Sequence, residues 1–295
     1  MNIPLHIKSI FILLFSPVLL MAGIGGTLEI SPAKPGVGST LEIEYRSGEL
    51  FSVTDKPLFT VVYFYNATQM YPVALSYQLK KSGKTYTAEV KDTPSDAVFA
   101  LVKVTNGKQT DWNGDNMWEI LFYDGKKPLN NTYLRQALSH LGSPIINIKR
   151  PVSFPLALKS LRSELDQNPD NFQARITLAS VLYETKEISK TEFTTRVEAL
   201  IKGGYNAEKE NEVRAAARAL QSIGLPADAS DVEKKFAIKY PKTDLAEELM
   251  RVSCMQAKTP DEFETAVRDY LKAFNYGVFG DGMYMDLLKF YLQQG

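Results

Sequence analysis

The spacing of hydrophobic positions changes near residue 150. From Thr27 to Tyr123 apolar residues recur at every second position. Leu28 and Ile30 alternate with polar neighbours, and Leu41, Ile43 and Tyr45 repeat the pattern after the turn Pro35-Gly36-Val37-Gly38. Phe59, Val61, Tyr63 and Tyr65 are backed by Val62 and Phe64, and a run apolar on both sides predicts a central strand covered on both faces. Val73–Leu79 and Thr85–Val90 follow, joined by Lys81-Ser82-Gly83-Lys84. Then come Val98–Val104, with Phe99 and Leu101 on the second face, and Trp118–Tyr123. About seven short strands with turns and no helix between them predict an Ig-like antiparallel β-sandwich over residues 26–125.

Residues 126–152 read as a linker holding a short helix, Tyr133–Leu141, and an extended piece, Ile145–Ile148, framed by Gly142-Ser143-Pro144 and Arg150-Pro151. From Ser153 to Gly295 the period is helical. Helix starts are predicted at Ser153, Asn171, Ser189 (with Glu192), Asn206, Asp244 (with Glu247) and Thr259-Pro260-Asp261-Glu262. Taking every second start (Asn171, Asn206, Thr243, Asp281) gives a period of roughly 36 to 38 residues, near the tetratricopeptide length. The fold class expected is therefore multidomain, β then α: a sandwich followed by a tetratricopeptide-like helical array over residues 153–295. Arrays of this kind leave a concave face that usually takes protein segments.

Ahead of the first strand, His6 and Lys8 precede an apolar run, Ile10–Met21, and the small residues Ala22-Gly23-Ile24-Gly25-Gly26. The run is too short to span a bilayer and suits a secretory signal peptide over residues 1–23. The expectation is a periplasmic or secreted protein with no membrane span once the signal is cleaved. The 34 basic and 34 acidic side chains cancel, which removes the electrostatic case for nucleic acid as a partner. Cys254 is the single cysteine, so no intrachain disulfide and no C-x-x-C motif can form. Cys254 lies in a helical apolar pattern, which makes a nucleophilic pair with His140 a poor prospect, and zinc would lack ligands.

The polar loop Asp111-Trp112-Asn113-Gly114-Asp115-Asn116 is the candidate site. Asp111, Asn113 and Asp115 alternate as at the start of an EF-hand loop. Asn116, however, stands where the turn glycine belongs, and Phe122 where the bidentate Glu belongs. Two readings stay open: a weaker Ca²⁺ site of Asp111, Asn113 and Asp115 with Glu119, the one cofactor considered, or a tight turn in which Asn113-Gly114 supplies positive φ. Trp112, Asn113, Asp115 and Trp118 are the candidate ligand-binding residues, since an exposed aromatic face beside Asp and Asn acceptors is suited to a sugar ring.

Three stretches, Lys84–Val90, Pro94-Ser95-Asp96-Ala97-Val98-Phe99 and Asp111–Trp118, together resemble the last three strands of exported Ig-like domains. Such domains occur in starch-binding carbohydrate modules and at the N-terminus of Bacteroidetes-type thioredoxin-like (TlpA-like) proteins. The chain departs from the shared pattern at Trp112, where Asn is usual, and has Asn106-Gly107 in place of Asp-Gly ahead of the loop. The TlpA-like resemblance implies helical repeats after the sandwich and then a thioredoxin domain with the active cysteines, which no position here matches. Three functions follow as expectations. The first is a non-enzymatic scaffold whose helical array binds other envelope proteins, accessory to thiol-disulfide or nutrient-handling systems. The second is a carbohydrate-binding protein with a glycan at the Asp111–Asn116 loop. The third is the N-terminal portion of a thiol-disulfide oxidoreductase.

Overall fold

The computed structural model describes residues 25–51, 56–68, 71–83, 85–142, 148–274 and 280–294. The expected signal peptide, residues 1–23, lies outside the described residues, as does most of the extended piece at 145–148. Ten strands come first: β1 (Thr27–Ser31), β2 (Leu41–Arg46), β3 (Leu58–Asn66), β4 (Val73–Ser82), β5 (Thr85–Val90), β6 (Ala97–Thr105), β7 (Thr110–Asp111), β8 (Trp118–Leu121), β9 (Tyr123–Asp124) and β10 (Lys127–Pro128).

Their order is β1-β2-β5-β4-β3-β6-β7, with β8 also on β6. An Ig-like sandwich needs two separate sheets, and β4 prevents that separation. Its first seven residues, Val73–Leu79, pair with β3, and Lys80–Ser82 pair with β5. One strand thus turns the corner between two sheets. The expected sandwich is replaced by a single antiparallel sheet rolled into a nearly closed barrel. The seam lies between the edge strands β1 and β7. There Gly26 N–H, one residue before β1, donates to the Asp111 carboxylate of β7 at 2.6 Å, and Tyr45 Oη of β2 donates to the same oxygen at 2.7 Å. At another point Tyr123 N–H donates to Pro35 O at 2.8 Å, tying the β1–β2 turn to β9.

The barrel interior holds Leu41, Ile43, Val62, Phe64, Ala100, Val102, Ile120 and Phe122. Tyr63, Phe99, Leu101 and Met117 form a second cluster with Ile148. This explains why β3 and β6 are apolar at both parities: they are central strands with a cluster on each face.

The helices are α1 (Thr132–Ser139), α2 (Phe154–Gln167), α3 (Phe172–Glu184), α4 (Lys190–Gly203), α5 (Glu210–Ser222), α6 (Pro226–Lys239), α7 (Asp244–Met255), α8 (Pro260–Phe274) and α9 (Gly280–Gln294). From α3, odd helices start at residues 172, 210, 244 and 280, so 38, 34 and 36 residues apart. Each helix packs on the next, and α3 also packs on α5, the neighbour relation of a tetratricopeptide-like array. The short helix α1 joins this layer: Leu134 and Ala137 share a core with Leu158 and Leu161 of α2 and Ala174 of α3. Among the described residues no helix is long and apolar enough to cross a membrane.

Side-chain caps account for the starts of α3, α4, α7 and α8. Asn171 and Ser189 accept from Ala174 and Glu192 N–H, respectively. Thr259 and Glu262 form a reciprocal box, with Thr259 Oγ1 accepting from Glu262 N–H and Glu262 Oε2 from Thr259 N–H. Two expected starts shift. Thr243, not Asp244, caps α7, and Glu247 is buried and accepts from Tyr270 Oη at 2.6 Å. Asn206 makes an Asx turn to Glu208 N–H, so α5 begins later, at Glu210.

Candidate functional site

The loop predicted to bind a ligand directs much of its polarity inward. Asn113, Gly114, Asp115 and Met117 all have positive φ, winding the chain tightly. Trp112 O accepts from Met117 N–H at 2.6 Å, and Asn113 Nδ2 donates to Met117 O at 3.1 Å. Asp111 is buried. Its Oδ1 accepts from Asn113 N–H, and its Oδ2 takes Gly26 and Tyr45. These bonds occupy the carboxylate that the Ca²⁺ reading needs first, while Asp115 is exposed at the tip. Among the described residues no three His, Cys, Asp or Glu side chains are grouped to hold a metal ion.

The two indoles pack into different clusters. Trp112 lies against the Tyr63–Phe99–Leu101 cluster with Lys103 Nζ 4.4 Å from its ring centroid, a cation–π contact on a face that a sugar would use. Trp118 packs toward the interior, edge-on to Tyr45 at 6.0 Å between centroids. Trp118, Asn113 and Asn116 also border a shallow hollow shared with Glu119, His140 and Arg150.

That hollow lies over the joint between barrel and helices. Glu119 of β8 accepts from Gln136 Nε2 of α1 at 2.6 Å and from Arg150 Nη2. Arg150 Nη1 donates to Ser139 Oγ at 2.7 Å, and Gln136 Oε1 accepts from Ser160 Oγ of α2 at 2.9 Å. Arg150 Nη2 sits 3.0 Å from His140 Nε2, which accepts there, leaving the ring proton on Nδ1. Burial first, then the Arg150 charge, push His140 from its ordinary 6.5 down to about 4, against the pull of Glu119. The unfolded chain therefore takes up this proton near pH 6.5, and the folded chain does so only near 4. Stability is complete above that window and declines as pH falls through it, by about 3 kcal/mol at its lower end. Urea unfolding at about pH 7 and about pH 4.5 should show this loss, and His140→Gln should remove most of it. An unchanged pH slope in the variant would refute the assignment.

On the opposite side of α1 the odd helices form a groove. A cavity of about 410 Å³ is lined by Leu138 and Arg135 of α1, Gln173 and Ile176 of α3, and Asn211, Arg214 and Arg218 of α5, with Tyr65 and Thr68 of the barrel forming one wall. This volume falls in the range of ligand sites. The helical period explains the lining: Gln173, Thr177 and Ser180 follow one another down one stripe of α3, and Asn211, Arg214 and Arg218 down one stripe of α5. Arg135 is buried at the floor, with Nε donating to Asn66 O at 2.8 Å. Burial, opposed by Tyr65 and reinforced by the charge of Arg218, pushes its guanidinium down to about 10. Arg218 lies at the mouth, lowered by desolvation and then by Arg214, against Glu233 and Glu248. Arg214 pairs with Glu210 at 2.8 Å and with Glu248 of α7 at 2.7 Å. Among the described residues no carboxylate forms an ion pair with Arg135 or Arg218. Asn211 Nδ2 donates to Gln173 Oε1 at 3.2 Å, while Asn211 Oδ1 is buried without a partner.

Sequence reading missed these arginines. Arg214 and Arg218 one turn apart on a helix look like a solvated face, and nothing local links them to Arg135. The usable signal is the polar stripe Gln173-Thr177-Ser180, which lies apart from the exposed Arg175 on a largely apolar helix.

No known family model matches the chain, and no curated protein sequence does. Among solved structures, the human IFIT1 dimer with m7Gppp-AAAA is similar at 19% identity over 56% of this chain, with a TM-score of 0.35. The match takes in 37% of the IFIT1 chain, so this protein spans well under half of that one. MamA is similar at 12% identity over 47% of this chain and 79% of its own, with a TM-score of 0.26. Both similarities lie in the helical region, and both proteins are tetratricopeptide-repeat proteins.

Proposed function

We propose that the chain is an exported, non-enzymatic scaffolding protein that holds a segment of a partner protein in the odd-helix groove. The groove itself carries the reading: stacked helix pairs leave a concave face, and here it deepens into a cavity walled by the barrel. The N-terminal pattern at residues 1–23 supports export, and the TlpA-like resemblance of residues 84–118 supports an envelope protein as the partner. Cys254 and His140 lie outside the groove. Cys254 is buried in the α7–α9 core with its thiol pushed up by burial, and His140 is held neutral at Arg150.

A photo-crosslinking residue placed at Thr177, in the groove, should yield an adduct with a specific envelope protein. The same residue at Glu198, on the exposed side of α4, should not. The captured protein, once purified, should bind the isolated chain. Equal labelling at the two positions would overturn the reading.

A further inference from the structure

The polar groups of the groove are unequally satisfied. Arg214 is paired with Glu210 and Glu248, whereas among the described residues no carboxylate lies within ion-pair distance of Arg135 or Arg218, which face the same cavity, and Glu233 and Glu248 act on Arg218 only from further off. Arg135 has Nε committed to Asn66 O, so the two terminal nitrogens of a buried guanidinium are left to face a ligand. Two cations sharing a partly desolvated space repel, and an anion between them removes that cost while filling the donors. Leu138, Ile176, Ala215 and Ala219 supply apolar wall beside them.

The remaining groups indicate what carries the anion. Thr177 and Ser180 spend their hydroxyl protons on Gln173 O at 2.7 Å and Ile176 O at 3.1 Å, so both oxygens face outward only as acceptors. Asn211 Oδ1 is a further acceptor, buried and unpaired. A cavity with guanidinium donors at one place and hydrogen-bond acceptors along α3 and α5 suits a ligand that is anionic at one point and carries N–H groups elsewhere. A peptide has both, and an inorganic phosphate has only the first.

We infer that the cavity takes the carboxylate of an acidic residue in an extended peptide, seated between Arg135 and Arg218 with the peptide's N–H groups toward Asn211 and Thr177. This rests on the groove reading above and adds the chemistry of its occupant. Arg218 is the selective handle, because it is exposed and makes only one hydrogen bond, from Nε to Arg214 O.

The test uses the full chain and a fluorescein-labelled peptide of alternating Glu and Leu, followed by anisotropy. Its counterpart with Gln for Glu should bind about tenfold or more weakly, since each lost charged contact of this kind is worth at least that factor. Arg218→Glu should abolish the preference for the Glu peptide and confer one for a Lys–Leu peptide, with its unfolding midpoint unchanged, while Arg218→Lys retains most of the binding. Equal binding of the Glu and Gln peptides, or no binding of either, would overturn the inference. So would full displacement of the Glu peptide by inorganic phosphate. None of these results touches the cross-linking at Thr177, which tests the groove reading by itself.

Discussion

Glu164→Ala should lower the stability of the protein by about 4 kcal/mol, which makes it the most damaging single change at the joint. Glu164 lies on α2 at 2% exposure, and its carboxylate holds the start of α1. Oε1 accepts from Asn131 N–H at 3.0 Å and from Asn171 Nδ2 at 2.9 Å, and Oε2 accepts from Leu134 N–H at 3.2 Å. Asn131, the residue before α1, is left-handed with no side-chain cap of its own, so a carboxylate from another helix does the capping. Removing it leaves two backbone donors unsatisfied, each costing about 1–3 kcal/mol in a buried setting, and takes one of two acceptors from the Asn171 amide, which keeps its bond to Asn131 Oδ1 at 2.8 Å. Glu164→Gln keeps one oxygen and should fall between. Urea unfolding measures the loss. A cost under about 1 kcal/mol for the alanine variant would show that the bonds to Glu164 are readily replaced by water.

Asp111→Ala should cost about 3 kcal/mol and loosen the barrel at one place, the seam between β1 and β7. One carboxylate there satisfies Gly26 N–H, Asn113 N–H and the Tyr45 hydroxyl, and Tyr45 has no exposure to water. The chain at Gly26 passes so close to Tyr45 and Arg46 O that an added Cβ would collide with both, so β1 has only one way to approach. Burial and then the hydrogen bond to Asp111 raise the Tyr45 phenol far above its ordinary range, which keeps it a donor. Tyr45→Phe removes one bond and should cost about 1 to 2 kcal/mol. The double variant should lose well under the sum of the two single losses, because both remove the same bond. Fully additive losses would mean that Tyr45 and Asp111 act separately. Proteolysis at the N-terminal strand should accelerate in Asp111→Ala with little change in the helices.

How much of this was legible in the chain depended on the range of the cause. Strand alternation and helix periodicity are local, so the strands and the helical layer could be read residue by residue. The barrel could not, because closing it needs β4 to leave β3 for β5 partway along its length and the start of the chain to meet β7, 85 residues away, across the seam. Asp244 and Thr243 are both acceptable caps, and packing of Glu247 against Tyr270 decides between them. Asp111 was marked as chemically special for its spacing to Asn113 and Asp115. Its importance is real, but its partners lie far upstream, Gly26 just before β1 and Tyr45 in β2. The arginine groove was hidden for the same reason: its floor comes from α1 and its mouth from α5.

The groove has one wall on the barrel and two on the helices, and this bears on dissection by truncation. Severing the chain at the change of period near residue 150 would strand Arg135, Tyr65 and Thr68 on one fragment and Arg218 on the other. Neither piece would then retain the cavity, although each keeps a complete set of regular elements. Mixing the fragments would restore it only if the Glu119–Gln136–Ser160 chain re-forms, so recovery of binding would report docking of the halves before it reported anything about the ligand.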